Sequence, residues 1–143
     1  WTDKSVGTLS VVPFFALFVN CIVWTLYGLM IGAPPVYIPN TTGAFVGLFC
    51  TSVYHIHSPS SNKTLYACGT TVLSCVVLAA LFGYPSIVGG IGSCLSLLLM
   101  ASPLAVLRTV VRDKCTAAMP FTTSLSMLLA SVSWSLYGLI VID

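Results

Sequence analysis

Glutamate is absent from this chain of 143 residues, and its only acidic residues are Asp3, Asp113 and Asp143. Five Lys and Arg bring the charged fraction to 6%, against roughly a quarter in an ordinary soluble domain. That scarcity excludes a good deal. There is no pair of carboxylates, no Ser or Cys beside a plausible base and no metal-ligand spacing, so an enzyme is not expected, nor a cofactor, nor a nucleic-acid partner. Cysteine is present six times but never as CxxC, and Cys21, Cys50, Cys68, Cys75 and Cys94 lie inside apolar stretches. They read as small buried hydrophobes rather than as a disulfide framework or a metal centre. His55 and His57 stand two residues apart, which on a helix turns them to different sides and argues against a metal pair.

What remains is apolar. Hydrophobic residues make up 57% of the chain, and the eight charges leave uncharged runs of 58, 44 and 28 residues between them. A helical crossing needs about 20 apolar residues, so runs of that length hold several. Breaks at IGAPP, HSPSSNK, FGYPS and RDKCTAA divide them into five spans at 9–32, 36–57, 65–83, 86–107 and 119–142. The first run is too long for a signal-peptide core and has no small-residue cleavage pattern behind it. Counted through the crossings, Lys4, Lys63, Arg108, Arg112 and Lys114 all fall on one side, while the IGAPP and FGYPS loops carry no Lys or Arg. The side rich in Lys and Arg is the cytoplasmic one. The sequon at Asn62 is then cytoplasmic and stays unmodified.

The chain repeats itself. VPFFALFVNCIVWTLYG at 12–28 and MPFTTSLSMLLASVSWSLYG at 119–138 share Pro-Phe and Trp-x-Leu-Tyr-Gly, with 11 residues from Pro13 to Trp24 and 14 from Pro120 to Trp134. At about 100° per residue, 11 steps return to within about 20° of the start and 14 to within about 40°. Each tryptophan therefore shares a face with its proline, and Asn20 joins Pro13 and Trp24 in one stripe. The second span carries a line of small and polar residues at Asn40, Gly43, Gly47, Thr51 and Tyr54. Its glycines read as close helix packing. Asn40 needs a partner in hydrocarbon, either a cap or interhelical bond or a wet cavity, and the repeat favours the cavity. Pro13, Pro103 and Pro120 lie near the cytoplasmic ends of their spans, where a missing backbone bond makes a weak point. They mark either ordinary kinks or a gate, and their common depth favours the gate.

The ordered set Pro13-Phe14, Asn20-Cys21, Trp24-x-x-Tyr27-Gly28, Asn40-x-x-Gly43, Ser102-Pro103-Leu104, Met119-Pro120-Phe121 and Trp134-x-x-Tyr137-Gly138 resembles the SWEET sugar transporters over nearly the whole chain. The resemblance implies an all-α, multi-pass membrane protein with two parallel three-helix-bundle repeats joined by a linker helix, seven spans in all, of which five are here. Residues 1–60 would be the first repeat without its first helix, 61–84 the linker, and 85–143 the second repeat without its last helix. A fourth proline and a second pocket asparagine are then expected on the absent helices, which makes the chain a fragment. The implied function is bidirectional sugar uniport, moving mono- or disaccharides by alternating access. Trp24 and Trp134 would flank the sugar ring, Asn40 would bond its hydroxyls, and Asn20, Leu99 and Ala130 would line the pocket. Pro13, Pro103 and Pro120 would form the gate. No Asp, Glu, His, Lys or Arg lies deep in a span, which fits facilitated diffusion down a gradient. The expected surroundings are lipid, in the plasma membrane or an endomembrane, with small-residue edges that permit a homo-oligomer. A non-transporting receptor or assembly factor on the same scaffold, an inactive truncated transporter and an amino-acid exporter with a proline-glutamine motif are the alternatives. Pro-Phe in both repeats and a pocket without acidic residues argue against the last.

Overall fold

Long apolar runs punctuated by glycine and proline fold as helices, since a helix satisfies its own backbone bonds without water. A computed structural model describes residues 10–57, 62–113 and 121–141, without the side chains of 101–111, 113 and 123. Among the described residues there are five helices and no strand: α1 Val12–Met30, α2 Pro34–His57, α3 Lys63–Leu81, α4 Pro85–Asp113 and α5 Phe121–Val141. Each expected span has its helix. The largest difference is at α4, which continues six residues past 107, through Arg108 and Arg112 to Asp113. Charges end a crossing, but they do not break a helix. At 1.5 Å per residue its 29 residues reach about 43 Å, beyond the roughly 30 Å of hydrocarbon.

Two turns are built alike. Gly32 (φ +65°) follows α1 and Gly83 (φ +72°) follows α3, both in the left-handed region that a residue with a Cβ adopts at a cost. After each, the next amide bonds back five residues, Ala33 N to Gly28 O at 2.8 Å and Tyr84 N to Ala79 O at 2.9 Å. That closes the helix end, and Pro34 and Pro85 then start the next helix, where a missing N–H costs nothing.

The described part of Trp1–Leu99 forms one compact unit and that of Met100–Asp143 another. In the first, α1 is surrounded on three sides, at angular positions about 120° apart around its axis. One face meets α2, where a Cβ on Gly28 would lie 2.8 Å from the Tyr37 nitrogen and one on Gly47 2.9 Å from the Phe18 backbone. Only glycine allows that approach, and the expected packing role of Gly47 follows from it. The second face meets α3, where Phe15 packs edge-on to Tyr66 with centroids 4.8 Å apart. His55 of α2 also contacts the Tyr66 hydroxyl, so the start of α3 is tied to both preceding helices. His57 turns away to the Val53 carbonyl. The third face meets α4, and Val23, Val76, Ala79 and Val88 make the small core shared by α1, α3 and α4.

Phe45, Phe49, Ile56 and Leu81 are each at least 69% exposed. Side chains of that kind belong against lipid rather than water. Val12–Met30, Lys63–Leu81 and Ser124–Val141 are long and apolar enough to cross a membrane, and Pro85–Met100 is a shorter apolar helix. The first half of α2 is diluted by Pro39, Asn40, Thr41 and Thr42, so α2 has the length for a crossing with less hydropathy.

Candidate functional site

Asn20 and Trp24 stand one turn apart on the α4-facing side of α1, as the 3.6-residue period requires. The Trp24 indole Nε1 donates to Ser96 Oγ at 3.0 Å. The same hydroxyl donates to Asn20 Oδ1 at 3.1 Å. Two helices are thus joined by a three-residue polar relay inside an apolar surround, where hydrogen bonds are strong and unpaired groups are costly. The ring itself lies on Gly92, whose Cβ, if present, would be 3.2 Å from the indole. Tyr27, one turn on, stands edge-on to Trp24 with centroids 5.5 Å apart and planes at 88°. Sequence reading missed Ser96. Its signal is the run Gly89, Gly92, Ser96, small residues at helical steps along the face of α4 that α1 approaches.

Asn40 lies on α2 at the same depth as Trp24, since their neighbours Thr41 and Thr25 meet at 3.5 Å. Its Nδ2 donates to the Val36 carbonyl at 2.8 Å. Pro39 has no N–H to give the Pro35 carbonyl, and the Asn40 side chain donates to the next carbonyl along, that of Val36, in the turn that proline loosens. Its Oδ1 has no partner among the described residues and is not sealed from the surroundings. Leu99 is half-buried on α4, one turn beyond Ser96.

In the second unit Ala130 and Trp134 stand one turn apart on α5, both exposed, Trp134 at 46%. Trp134 and Tyr137 repeat the edge-on pairing of α1, with centroids 5.8 Å apart and planes at 89°. The prolines behave differently from one another. Pro13 falls in the first turn of α1, where proline removes no helical bond, so the weak point expected there is absent. Pro103 lies inside the helical range of α4. Pro120 is outside the described residues.

One groove of about 180 Å³ opens between α1 and α2, lined by Phe18, Ile22, Phe45, Leu48 and their neighbours. None of the expected pocket residues lines it. Cys21 is buried as expected, whereas Cys68, Cys75 and Cys94 are exposed on the outer surface, and none of these is paired. Among the described residues no three His, Cys, Asp or Glu side chains come together as a metal site would require.

A bundle of long apolar helices with lipid-type side chains outside and a polar relay inside defines a multi-pass helical membrane protein. Residues 1–62 and 86–143 match the family described as "Sugar efflux transporter for intercellular exchange". The chain is 30% identical over 150 residues to "Bidirectional sugar transporter SWEET1" of Arabidopsis thaliana, covering 96% of this chain and 61% of that protein. It is 30% identical over 146 residues to "Sugar transporter SWEET1" of Rattus norvegicus, covering 94% and 65%. Against "Bidirectional sugar transporter SWEET12" of Oryza sativa subsp. japonica it is 27% identical over 155 residues, covering 100% and 51%. The chain belongs to this family, the SWEET family, whose members are transporters rather than enzymes. It spans between about half and two thirds of the length of these relatives.

Proposed function

We propose that this chain carries part of the pathway of a bidirectional sugar uniporter. The observation that carries the reading is the repeated Trp-x-x-Tyr pair, held in nearly the same edge-on geometry on α1 and α5. The electron-rich face of an indole suits the electron-poor C–H face of a sugar, and stacking of that kind holds a ring without demanding one hydroxyl pattern. Trp24 and Trp134 would supply the two faces. Asn40 would meet hydroxyls through its free oxygen, and Asn20, Leu99 and Ala130 would set the width of the pocket and so the choice between mono- and disaccharide.

The two stretches that match the family lie on either side of α3. That supports reading residues 1–60 and 85–143 as two repeats and 61–84 as the linker. Residues 5–62 and 64–107 contain no Asp, Glu, Lys or Arg, so the spans offer no charged relay for a coupling ion. Movement of the two repeats around a midplane site, driven by the sugar gradient alone, is the mechanism that fits. Pro103 inside α4 is the best placed hinge for the cytoplasmic gate, and the positive loops put that gate on the cytoplasmic side.

The test is sugar counterflow in vesicles reconstituted with the chain and preloaded with unlabelled glucose or sucrose. Labelled sugar should accumulate transiently at a rate unaffected by a protonophore, and Pro103→Ala should slow exchange while leaving binding in place. Exchange that collapses with the proton gradient would contradict uniport. Sugar binding without exchange would favour a receptor on the same scaffold.

A further inference from the structure

Ser96 has one proton and two lone pairs, and that count gives the relay a direction. Indole Nε1 carries only a proton, so the bond from Trp24 must end on the Ser96 oxygen. The serine proton is then free for an acceptor, and the Asn20 oxygen is at 3.1 Å. Were the Asn20 amide reversed, its NH2 and the indole would both donate to Ser96, and the serine proton would have no acceptor in the relay. Pairing the serine proton across the two helices therefore turns the Asn20 oxygen toward α4. Its nitrogen, with two N–H donors, has no partner among the described residues and is not closed off.

We infer that Ser96 is a positioning residue of the sugar site, whose hydroxyl holds the Trp24 indole in place and fixes the Asn20 carboxamide so that it offers ligand N–H donors and not an acceptor. This goes beyond the transport reading and rests on it for the identity of the ligand. It assigns the first repeat a polarity: a sugar oxygen beside Asn20 is bound as an acceptor, whatever its own proton does. Ser96 does not have to touch the sugar. Its effect passes through two side chains on the neighbouring helix.

The experiment has two readouts on the 143-residue chain in detergent. The first needs no sugar: with 15N-labelled indoles, the N–H resonance lost in Trp24→Phe identifies Trp24, and Ser96→Ala should move it upfield while Ser96→Thr, which keeps a hydroxyl, should restore it. The second is competition against labelled glucose by glucose analogues in which single hydroxyls are replaced by hydrogen or by fluorine. Fluorine accepts weakly and cannot donate, so at the position beside Asn20 the fluoro analogue should outcompete the deoxy analogue by several-fold, up to about tenfold for one hydrogen bond. In Ser96→Ala the amide is free to reverse, and that gap should close; in Ser96→Thr it should persist. A Trp24 resonance unmoved by Ser96→Ala overturns the proposal, and so does a gap of equal size in Ser96→Ala. If no analogue and no glucose competes at all, the transport reading fails, and the indole resonance alone decides whether Ser96 holds Trp24.

Discussion

Helices α1 and α5 carry the same Trp-x-x-Tyr-Gly sequence and the same edge-on ring pair, yet they engage their surroundings in opposite ways. On α1 the indole is bonded to Ser96, laid on Gly92 and joined through the serine to Asn20. On α5 the indole is 46% exposed, and the position one turn earlier is Ala130, which has nothing to bond. The closing glycines differ as well. A Cβ on Gly28 would collide with Tyr37, while one on Gly138 meets nothing within 4 Å among the described residues. The ring pair is thus a property of one helix, set by the i, i+3 spacing. Whether the motif is locked or left open is set by what packs against it.

Substitutions made in parallel on the two helices should separate these contributions. The largest difference is expected at the tryptophans. Trp24→Ala removes a packed ring and a part-buried hydrogen bond and should cost about 3 kcal/mol, whereas Trp134→Ala should cost less than about 1 kcal/mol. Loss of helicity on titration with a denaturing detergent measures both, and equal losses would erase the contrast. The glycines come next. Gly28→Ala forces a Cβ against the Tyr37 backbone and should destabilise by about 1–3 kcal/mol. Gly138→Ala should be neutral or stabilise by up to about 1 kcal/mol, because alanine is the better helix former. A loss at Gly138 as large as that at Gly28 would mean that α5 is packed as tightly as α1. The smallest difference concerns the amides: Asn20→Ala should cost about 1 kcal/mol by leaving Ser96 with one partner. Ala130→Asn should change stability by no more than about 0.5 kcal/mol, and a larger gain would reveal a partner for it.

The helices were largely legible in the sequence, for a reason that these pairs make plain. Spans and their ends depend on local chemistry: apolar length, Gly32 and Gly83 at left-handed turns, and Pro34 and Pro85 at helix starts. The stripe of Asn20 and Trp24 was legible for the same reason, since one period places both on a face. Pro13 was harder to read, because proline within a hydrophobic run looks the same whether it stands inside a helix or in its first turn. The extension of α4 past Arg108 was hidden by equating the end of the hydrocarbon with the end of the helix. Least visible was Ser96, which is 72 residues from Trp24 and 76 from Asn20 in the chain. Its role comes from tertiary contact between α1 and α4, and a serine among small residues gives little notice of it. Asn40 was harder to read for another reason: its Nδ2 bonds back to the Val36 carbonyl of its own helix, a local bond that competes with any pocket role.

One sugar site shared by the two helices would require Trp134 to stack on the sugar as Trp24 would, despite its exposure. Equilibrium binding of radiolabelled glucose to the purified chain and to Trp134→Ala, with helicity checked to be equal, tests this most directly. Loss of one stacked aromatic face should weaken binding by up to about tenfold. If the Trp134→Ala chain binds glucose as tightly as the unsubstituted one, the exposed indole of α5 is a lipid-facing ring, and the two repeats do not share a site.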